Sequence, residues 1–135
     1  PRTVCPSIIA GLPGLRIENV RMENIEIVYP GHADPEYAYA GTSKEELDAI
    51  EEQETRYPEF SNWKELPAWG FYIRHADGIV FDNVKLTVDG EDYRPAIVTD
   101  DVNGLRMKNL QINQETAPKG KKQIITKDTK NIKKK

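Results

Sequence analysis

The side chains of this sequence with the clearest chemical potential lie in two short segments. The first contains Trp69, Tyr72, Arg74 and His75, and the second contains Asp100. A guanidinium such as that of Arg74 can bind a carboxylate through two parallel hydrogen bonds, and an aromatic side chain on a loop can stack on a sugar ring. These five residues are therefore the candidate substrate-binding set.

Each member also has a structural interpretation. Arg74 can simply pair with Asp100, and His75 can pair with Asp101. A His–Asp pair can carry out acid–base work, but no nucleophile or second acid accompanies this one, so a structural pair is favoured. Trp69 belongs to an aromatic set that either stacks on sugars or holds a long loop against its scaffold, and the second interpretation is favoured. The set comprises Tyr29, Tyr37, Tyr39, Tyr57, Phe60, Trp63 and Trp69.

Composition excludes several other kinds of site. Cys5 is the only cysteine among 135 residues, so an intramolecular disulfide and a multi-cysteine zinc site are both impossible. We expect no metal and no cofactor. No run of about eighteen apolar residues occurs, which predicts no membrane partner, and the first residues lack the apolar segment of a secretory signal.

The charge is distributed unevenly. The formal net charge is −3, but Lys119–Lys135 contains eight lysines and one aspartate, a local charge of +7 that leaves −10 for residues 1–118. Such a basic segment can bind nucleic acid or an acidic surface. Because it has no interleaved aromatic residues and no nucleic-acid motif, we predict a frayed, solvated terminus and no nucleic-acid partner.

The elements that carry the candidate residues belong to an internal repeat. A small or turn residue, followed by alternating apolar residues around an asparagine, opens three gapless copies at Asn19–Ile27, Gly78–Leu86 and Gly104–Ile112. A fourth copy begins at Ile124 and stops. Alternation within a copy predicts a strand, and recurrence between copies predicts that equivalent strands lie on one another. The pattern therefore predicts a parallel β-helix of about three to four coils.

Superposing the copies produces apolar columns such as Val20 with Ile79 and Leu105. An apolar residue also precedes each small residue by seven places, and these residues should form a further column. They are Leu12, Phe71, Ile97 and Ile124.

Polar residues form columns as well. Asn24, Asn83 and Asn109 align, and their amides can hydrogen-bond between parallel strands about 4.8 Å apart; a glycan or metal contact is the functional alternative. On the outward face, Arg74, Asp100 and Lys127 stack as base, acid and base, and Tyr72 shares that face.

We assign residues 1–135 to a single partial β-helix domain. Copies two to four are 26 and 27 residues apart, whereas copies one and two are 59 apart. Residues 28–69 therefore form a loop insertion, and residues 114–135 form an incomplete last coil with the lysine-rich tail.

The insertion predicts a short acidic helix that ends before Pro58. A capping box is present in either of two registers, Thr42 with Glu45 or Ser43 with Glu46. The helix has two strongly apolar residues through which it can rest on the coils. They are Leu47 and Ile50.

Ser7–Gly14, Leu66–His75 and Arg94–Leu105 carry three motifs whose order and content resemble the C-terminal coils of bacterial family 28 glycoside hydrolases, the polygalacturonases and rhamnogalacturonases. The resemblance covers roughly residues 5–112. It implies an all-β, right-handed parallel β-helix of about three to four coils, here with one long loop insertion containing a short α-helix. It also implies a secreted or periplasmic location, an acidic plant polysaccharide or oligosaccharide as partner, and hydrolysis of bonds beside uronic acids with inversion.

The chemistry of that family requires aspartates about 6.5–9.5 Å apart, in Asn-Thr-Asp, Gly-Asp-Asp, Gly-His-Gly and Arg-Ile-Lys motifs. None of these motifs occurs here, and Thr99–Asp101 lacks the glycine of the second. We assign no catalytic residue. The chain is interpreted as the C-terminal portion of a pectin-type hydrolase that is not catalytic by itself, and the alternative is a glycan-binding or structural β-helix module. Its first coil has no obvious cap, which predicts self-association or stacking of upstream coils.

Overall fold

The computed structural model describes residues 6–31, 41–50, 66–114 and 122–134. Most of this part is strand, in the order β1 (Ser7–Ala10), β2 (Ile17–Pro30), α1 (Lys44–Asp48), β3 (Phe71–Asp89), β4 (Ile97–Asn113) and β5 (Ile124–Lys133). The prediction of a mostly β chain built on a parallel sheet is confirmed.

Every pairing between these strands is parallel. β3 lies between β4 on one side and both β1 and β2 on the other, and β5 pairs with the far side of β4. Ile79 is the partner of Val20 in β2 and of Leu105 in β4. The repeat therefore predicted the register of the sheet correctly, because side chains one repeat apart occupy the same row.

One predicted column is wrong at its first member. Phe71, Ile97 and Ile124 are partners as expected, but Phe71 pairs with Ser7 instead of Leu12. Leu12 lies in an extra turn, where an isolated antiparallel bridge joins it to Leu15. The turn inserts residues between β1 and β2, so counting back from β2 overshoots the start of the first strand.

The asparagine column lies at a bend within the long strands. Asn24, Asn83 and Asn109 have positive φ angles of 54°, 58° and 52°, in the left-handed region that asparagine tolerates better than most residues. Asn109 Nδ2 donates to Asn83 Oδ1 at 2.9 Å, and Asn83 Nδ2 donates to Asn24 Oδ1 at 2.7 Å. The predicted amide ladder is confirmed as a structural feature.

A second bend lies at the residue that opens each copy of the repeat. Gly78 and Gly104 have φ angles of 71° and 89°, and Asn19 has 57°. A Cβ on Gly78 would lie 2.8 Å from Asn19 Oδ1. Glycine adopts this conformation without strain and leaves room for the Asn19 side chain, and Asn19 shows that asparagine also occupies the equivalent position.

The main core lies between the inward rows of the strands. Ile79, Phe81, Leu86 and Leu105 are almost completely buried, and Phe71 packs edge-on against Phe81 with ring centroids 5.1 Å apart. Burial of these apolar rows is the main stabilising contribution.

The insertion is shorter than predicted at its first end, because β2 continues through Pro30, which pairs with Asp89. Of the two capping registers, the structure uses Ser43 with Glu46. Helix α1 ends at Asp48 with Ala49 as its C-cap, so it is shorter than the predicted helix. Residues 51–57 lie outside the described residues. So do Tyr37, Tyr39, Tyr57, Phe60 and Trp63 of the aromatic set.

The expectation of a frayed C-terminal segment is wrong for Ile124–Lys133. These residues form β5, in register with β4 from Ile97 to Arg106. The alternating apolar residues that opened the fourth copy continue the stack, and the lysines occupy the rows that face outward.

Candidate functional site

Three charged side chains form a column across the sheet, at partner positions of β3, β4 and β5. Arg74 Nε lies 3.4 Å from Asp100 Oδ2, and Lys127 Nζ lies 3.0 Å from Asp100 Oδ1. The base–acid–base column is thus present as ion pairs. The side chains of Arg74 and Asp100 are only 9% and 3% exposed, so these pairs are largely removed from water.

Helix α1 covers this column. Leu47 and Ile50 pack in a second apolar cluster with Tyr72 and Val98, and Arg74 Nη1 donates to the backbone carbonyl of Ile50 at 2.7 Å. The outward direction predicted for Tyr72, Arg74 and Asp100 is correct relative to the main core, but the expectation that they belong to an accessible substrate-binding surface is wrong. A segment distant in sequence packs on that face and excludes water from it.

Lys127 joins the helix to the sheet. Its ammonium contacts Asp48 of α1 as well as Asp100 and Asp128. Burial by itself lowers the pKa of Lys127, but hydrogen bonds to Asp48 and Asp100 outweigh burial and raise the pKa above its usual value. The hydrogen bond from Lys127 lowers the pKa of Asp48. Both groups are therefore charged at neutral pH.

Trp69 lies in the main core and is fully buried. Its ring packs edge-on against Tyr29 with centroids 5.6 Å apart, and its Nε1 donates to Gln114 Oε1 at 3.2 Å. The less favoured alternative, in which Trp69 is an accessible platform for a sugar ring, is therefore wrong. The ring holds the chain entering β3 against the end of β2, as the favoured structural interpretation required.

His75 and Asp101 meet at a bend, as the repeat predicted. Both have φ in the left-handed region, and His75 Nδ1 lies 2.7 Å from Asp101 Oδ2. Arg16 also donates to Asp101 Oδ2 at 2.6 Å and to both carboxylate oxygens of Asp77. Burial by itself raises the pKa of Asp101, but the hydrogen bonds from His75 and Arg16 outweigh it and the pKa is lowered. The carboxylate therefore stays ionised. The cluster, which we call the Arg16 clamp, links the residue before β2 to His75 and Asp77 of β3 and to Asp101 of β4.

Sequence reasoning missed the Arg16 clamp and a second buried ion pair. Arg94 donates from Nε and Nη2 to the two carboxylate oxygens of Asp92, both at 2.8 Å, and the side chains are 1% and 0% exposed. The available signal was the proximity of Asp92 to Arg94 in a loop beside Pro95. Arg16 had no local signal, because its partners lie 61 and 85 residues away.

The candidate residues thus form two separate groups and one isolated aromatic. Arg74 and Asp100 belong to the covered column with Tyr72 beside it, His75 belongs to the clamp, and Trp69 lies in the core. Within the described ranges, no cluster of three or more His, Cys, Asp or Glu side chains could hold a metal ion. No helix in the same ranges is long and apolar enough to cross a membrane.

Comparisons of this chain with protein-family models, with curated proteins and with solved structures found no match.

Proposed function

We propose that this chain is a non-catalytic structural module, a segment of right-handed parallel β-helix. Parallel strands in unbroken register, apolar rows along their inward faces and left-handed bends at equivalent positions are the features expected of such coils. The general preference of parallel β crossovers for right-handed connections supports the handedness.

One observation carries the non-catalytic role: Asp100 is held between two cations and covered by α1. Glycoside hydrolysis requires a pair of carboxyl groups that reach the bond from opposite sides. A carboxylate that is ion-paired with Arg74, hydrogen-bonded by Lys127 and shielded from solvent is not available to protonate a sugar oxygen. Among the described residues, Asp92 is the other buried carboxylate, and Arg94 donates a hydrogen bond to each of its two oxygens.

We further propose that the module forms the C-terminal coils of a secreted or periplasmic pectin-type polysaccharide hydrolase, as its three motifs suggest. The acid and base would then be supplied by coils that stack on β1 and β2. Among the described residues these two strands pair only with β3, so their other edge offers unsatisfied backbone groups to an additional strand. A second copy of this chain is the other occupant for that edge.

The test is a reducing-sugar assay of the 135-residue chain with polygalacturonate and with rhamnogalacturonan. No release above the uncatalysed background is expected. Release that disappears in Asp100→Asn, while the variant keeps its folded circular dichroism spectrum, would show that the buried column is a catalytic site and would overturn the structural role.

A further inference from the structure

The parallel sheet has an edge at each end of its stack of strands, formed by β1 and β2 at one end and by β5 at the other. Among the described residues, β1 and β2 pair only with β3, and β5 pairs only with β4. The N–H and C=O groups along such an edge can pair with another strand of suitable shape and charge. The two edges face opposite directions along the stack, so one end of the sheet can receive the other end of a second copy.

The end strands β2 and β5 carry charges of opposite sign. β2 contains three glutamates and one arginine, a net charge of −2, whereas β5 contains three lysines and one aspartate, a net charge of +2. The three glutamates are exposed, as are Lys130 and Lys133. Like charges opposite each other destabilise a pair of strands, and opposite charges stabilise it. Two β2 edges or two β5 edges therefore repel each other, whereas a β5 edge attracts a β2 edge.

The rows of the sheet determine which charged residues of two stacked copies would meet. The row that begins at Glu18 of β2 ends at Lys130 of β5, and its inner members are Asp77 and Asn103. A second copy that continues the stack in register places its Glu18 on Lys130 of the first copy. The contact joins an exposed anion to an exposed cation.

Apolar side chains at the two ends match in the same register. Ile132 of β5 is 40% exposed and belongs to the row of Val20. Ile125 belongs to the row of Ile8, and both are partly buried. Stacking a second copy in register covers Ile132 with Val20 and Ile125 with Ile8. The association therefore removes apolar surface from water as well as pairing charges.

One row opposes this stacking. Lys133 belongs to the row of Arg21, so two cations would lie on each other. Arg21 is already paired with Glu23 and Asp82 in its own copy, which reduces the repulsion. The contact of Glu18 with Lys130 and the two apolar rows favour association.

We propose that copies of this chain associate head to tail, with β5 of one copy pairing in parallel with β1 and β2 of the next. Different surfaces meet in this interface, so it extends into an open linear assembly instead of closing as a two-fold dimer. The inference goes beyond the proposed function, because it assigns a partner to the β5 edge and needs no enzymatic activity. A second copy and upstream coils would use the same β1–β2 edge, so the inference concerns the 135-residue chain. The reducing-sugar assay and the association test below can fail separately.

Sedimentation velocity of the 135-residue chain tests this association over concentrations from about 10 μM to about 1 mM. The weight-average mass should rise with concentration beyond that of a dimer. It should be lower in about 500 mM salt than in about 20 mM salt, because salt screens the attraction between the exposed charges of the two ends.

Charge reversal at the two ends tests the register. Lys130→Glu and Glu18→Lys should each raise the dissociation constant about tenfold, because each places like charges opposite each other. An equimolar mixture of the two variants should assemble as the unaltered chain does, because each contact between unlike variants again joins a cation to an anion. Both side chains are exposed, so each variant should keep the thermal midpoint of the unaltered chain, which circular dichroism checks.

Lys44→Glu is the matched control. It changes the net charge by the same amount as Lys130→Glu, but at an exposed side chain of α1 instead of an end strand, and it should assemble as the unaltered chain does. A mass that stays at or below that of a dimer over the whole concentration range would overturn the head-to-tail association. So would a Lys130→Glu variant that assembles normally, or a mixture that assembles no better than its two components alone.

Discussion

Asp100 and Lys127 lie 27 residues apart in the chain, yet their side chains meet across β4 and β5 with 3.0 Å between Oδ1 and Nζ. Arg74 Nε lies 3.4 Å from the other oxygen, Oδ2, as an ion pair. The same lysine reaches Asp48, so this one column connects the sheet to the helix that covers it. A group of residues with the composition of a binding site is therefore part of the structural framework.

Replacing Asp100 by asparagine should strongly destabilise the protein. The substitution removes the buried negative charge that Arg74 and Lys127 share, and removing one partner of a buried pair costs about 3 kcal/mol or more. Urea denaturation should show this loss in the free energy of unfolding. Asp82→Asn is the control, because Asp82 pairs with Arg21, whose side chain is 54% exposed, and its loss should stay below about 1 kcal/mol. Equal effects of the two variants would contradict the buried column.

Two leucines provide a matched test of how α1 is docked. Leu47 is 1% exposed and packs against the outward face of the sheet, whereas Leu15 is 73% exposed. Leu47→Ala should lower the free energy of unfolding by about 2–4 kcal/mol, and Leu15→Ala should change it by less than about 0.5 kcal/mol. If Leu47→Ala were as mild as Leu15→Ala, α1 would not be held on the sheet.

Two substitutions of Asn83 can separate backbone conformation from the amide ladder. Asn83→Gly keeps the left-handed bend but removes the hydrogen bonds to Asn24 and Asn109, so it should cost about 1 kcal/mol. Asn83→Ala loses the same bonds and adds the strain of a positive φ, a further 1–2 kcal/mol or so. Thermal unfolding of both variants checks the order, and an alanine variant as stable as the glycine variant would argue against the bend.

The raised pKa of Tyr29 predicts that the protein loses stability in alkaline solution. Burial raises its pKa above the usual value of 10.0, although the hydrogen bond with Ser7 acts in the opposite direction. Because the folded state disfavours the phenolate, this contribution is complete below pH 10 and is lost as the pH rises through the folded pKa. Urea denaturation between pH 8 and about pH 11 should show a steeper decline for the unaltered chain than for Tyr29→Phe. Parallel curves would mean that the pKa of Tyr29 is the same in the folded and unfolded states, and would contradict this prediction.

Much of the fold could be read from the chain alone, since the repeat is local. Side chains alternate between faces along a strand, and equivalent copies place like residues in the same row. Ile79 beside Leu105, the ladder through Asn83 and the charge column through Asp100 follow from that period without further information. Among the predicted columns, the wrong position was that of Leu12, because an extra turn inserts residues between β1 and β2.

The tertiary structure alone decided which faces meet water. Periodicity places Arg74 and Asp100 on the outward side, but whether that side is exposed depends on α1, whose position is set by contacts of Leu47 and Ile50 with residues far along the chain. The burial of Trp69 and the contacts of Arg16 with Asp77 and Asp101 have the same origin. Each results from packing between segments that are distant in sequence. The local sequence pattern does not determine which segment covers another.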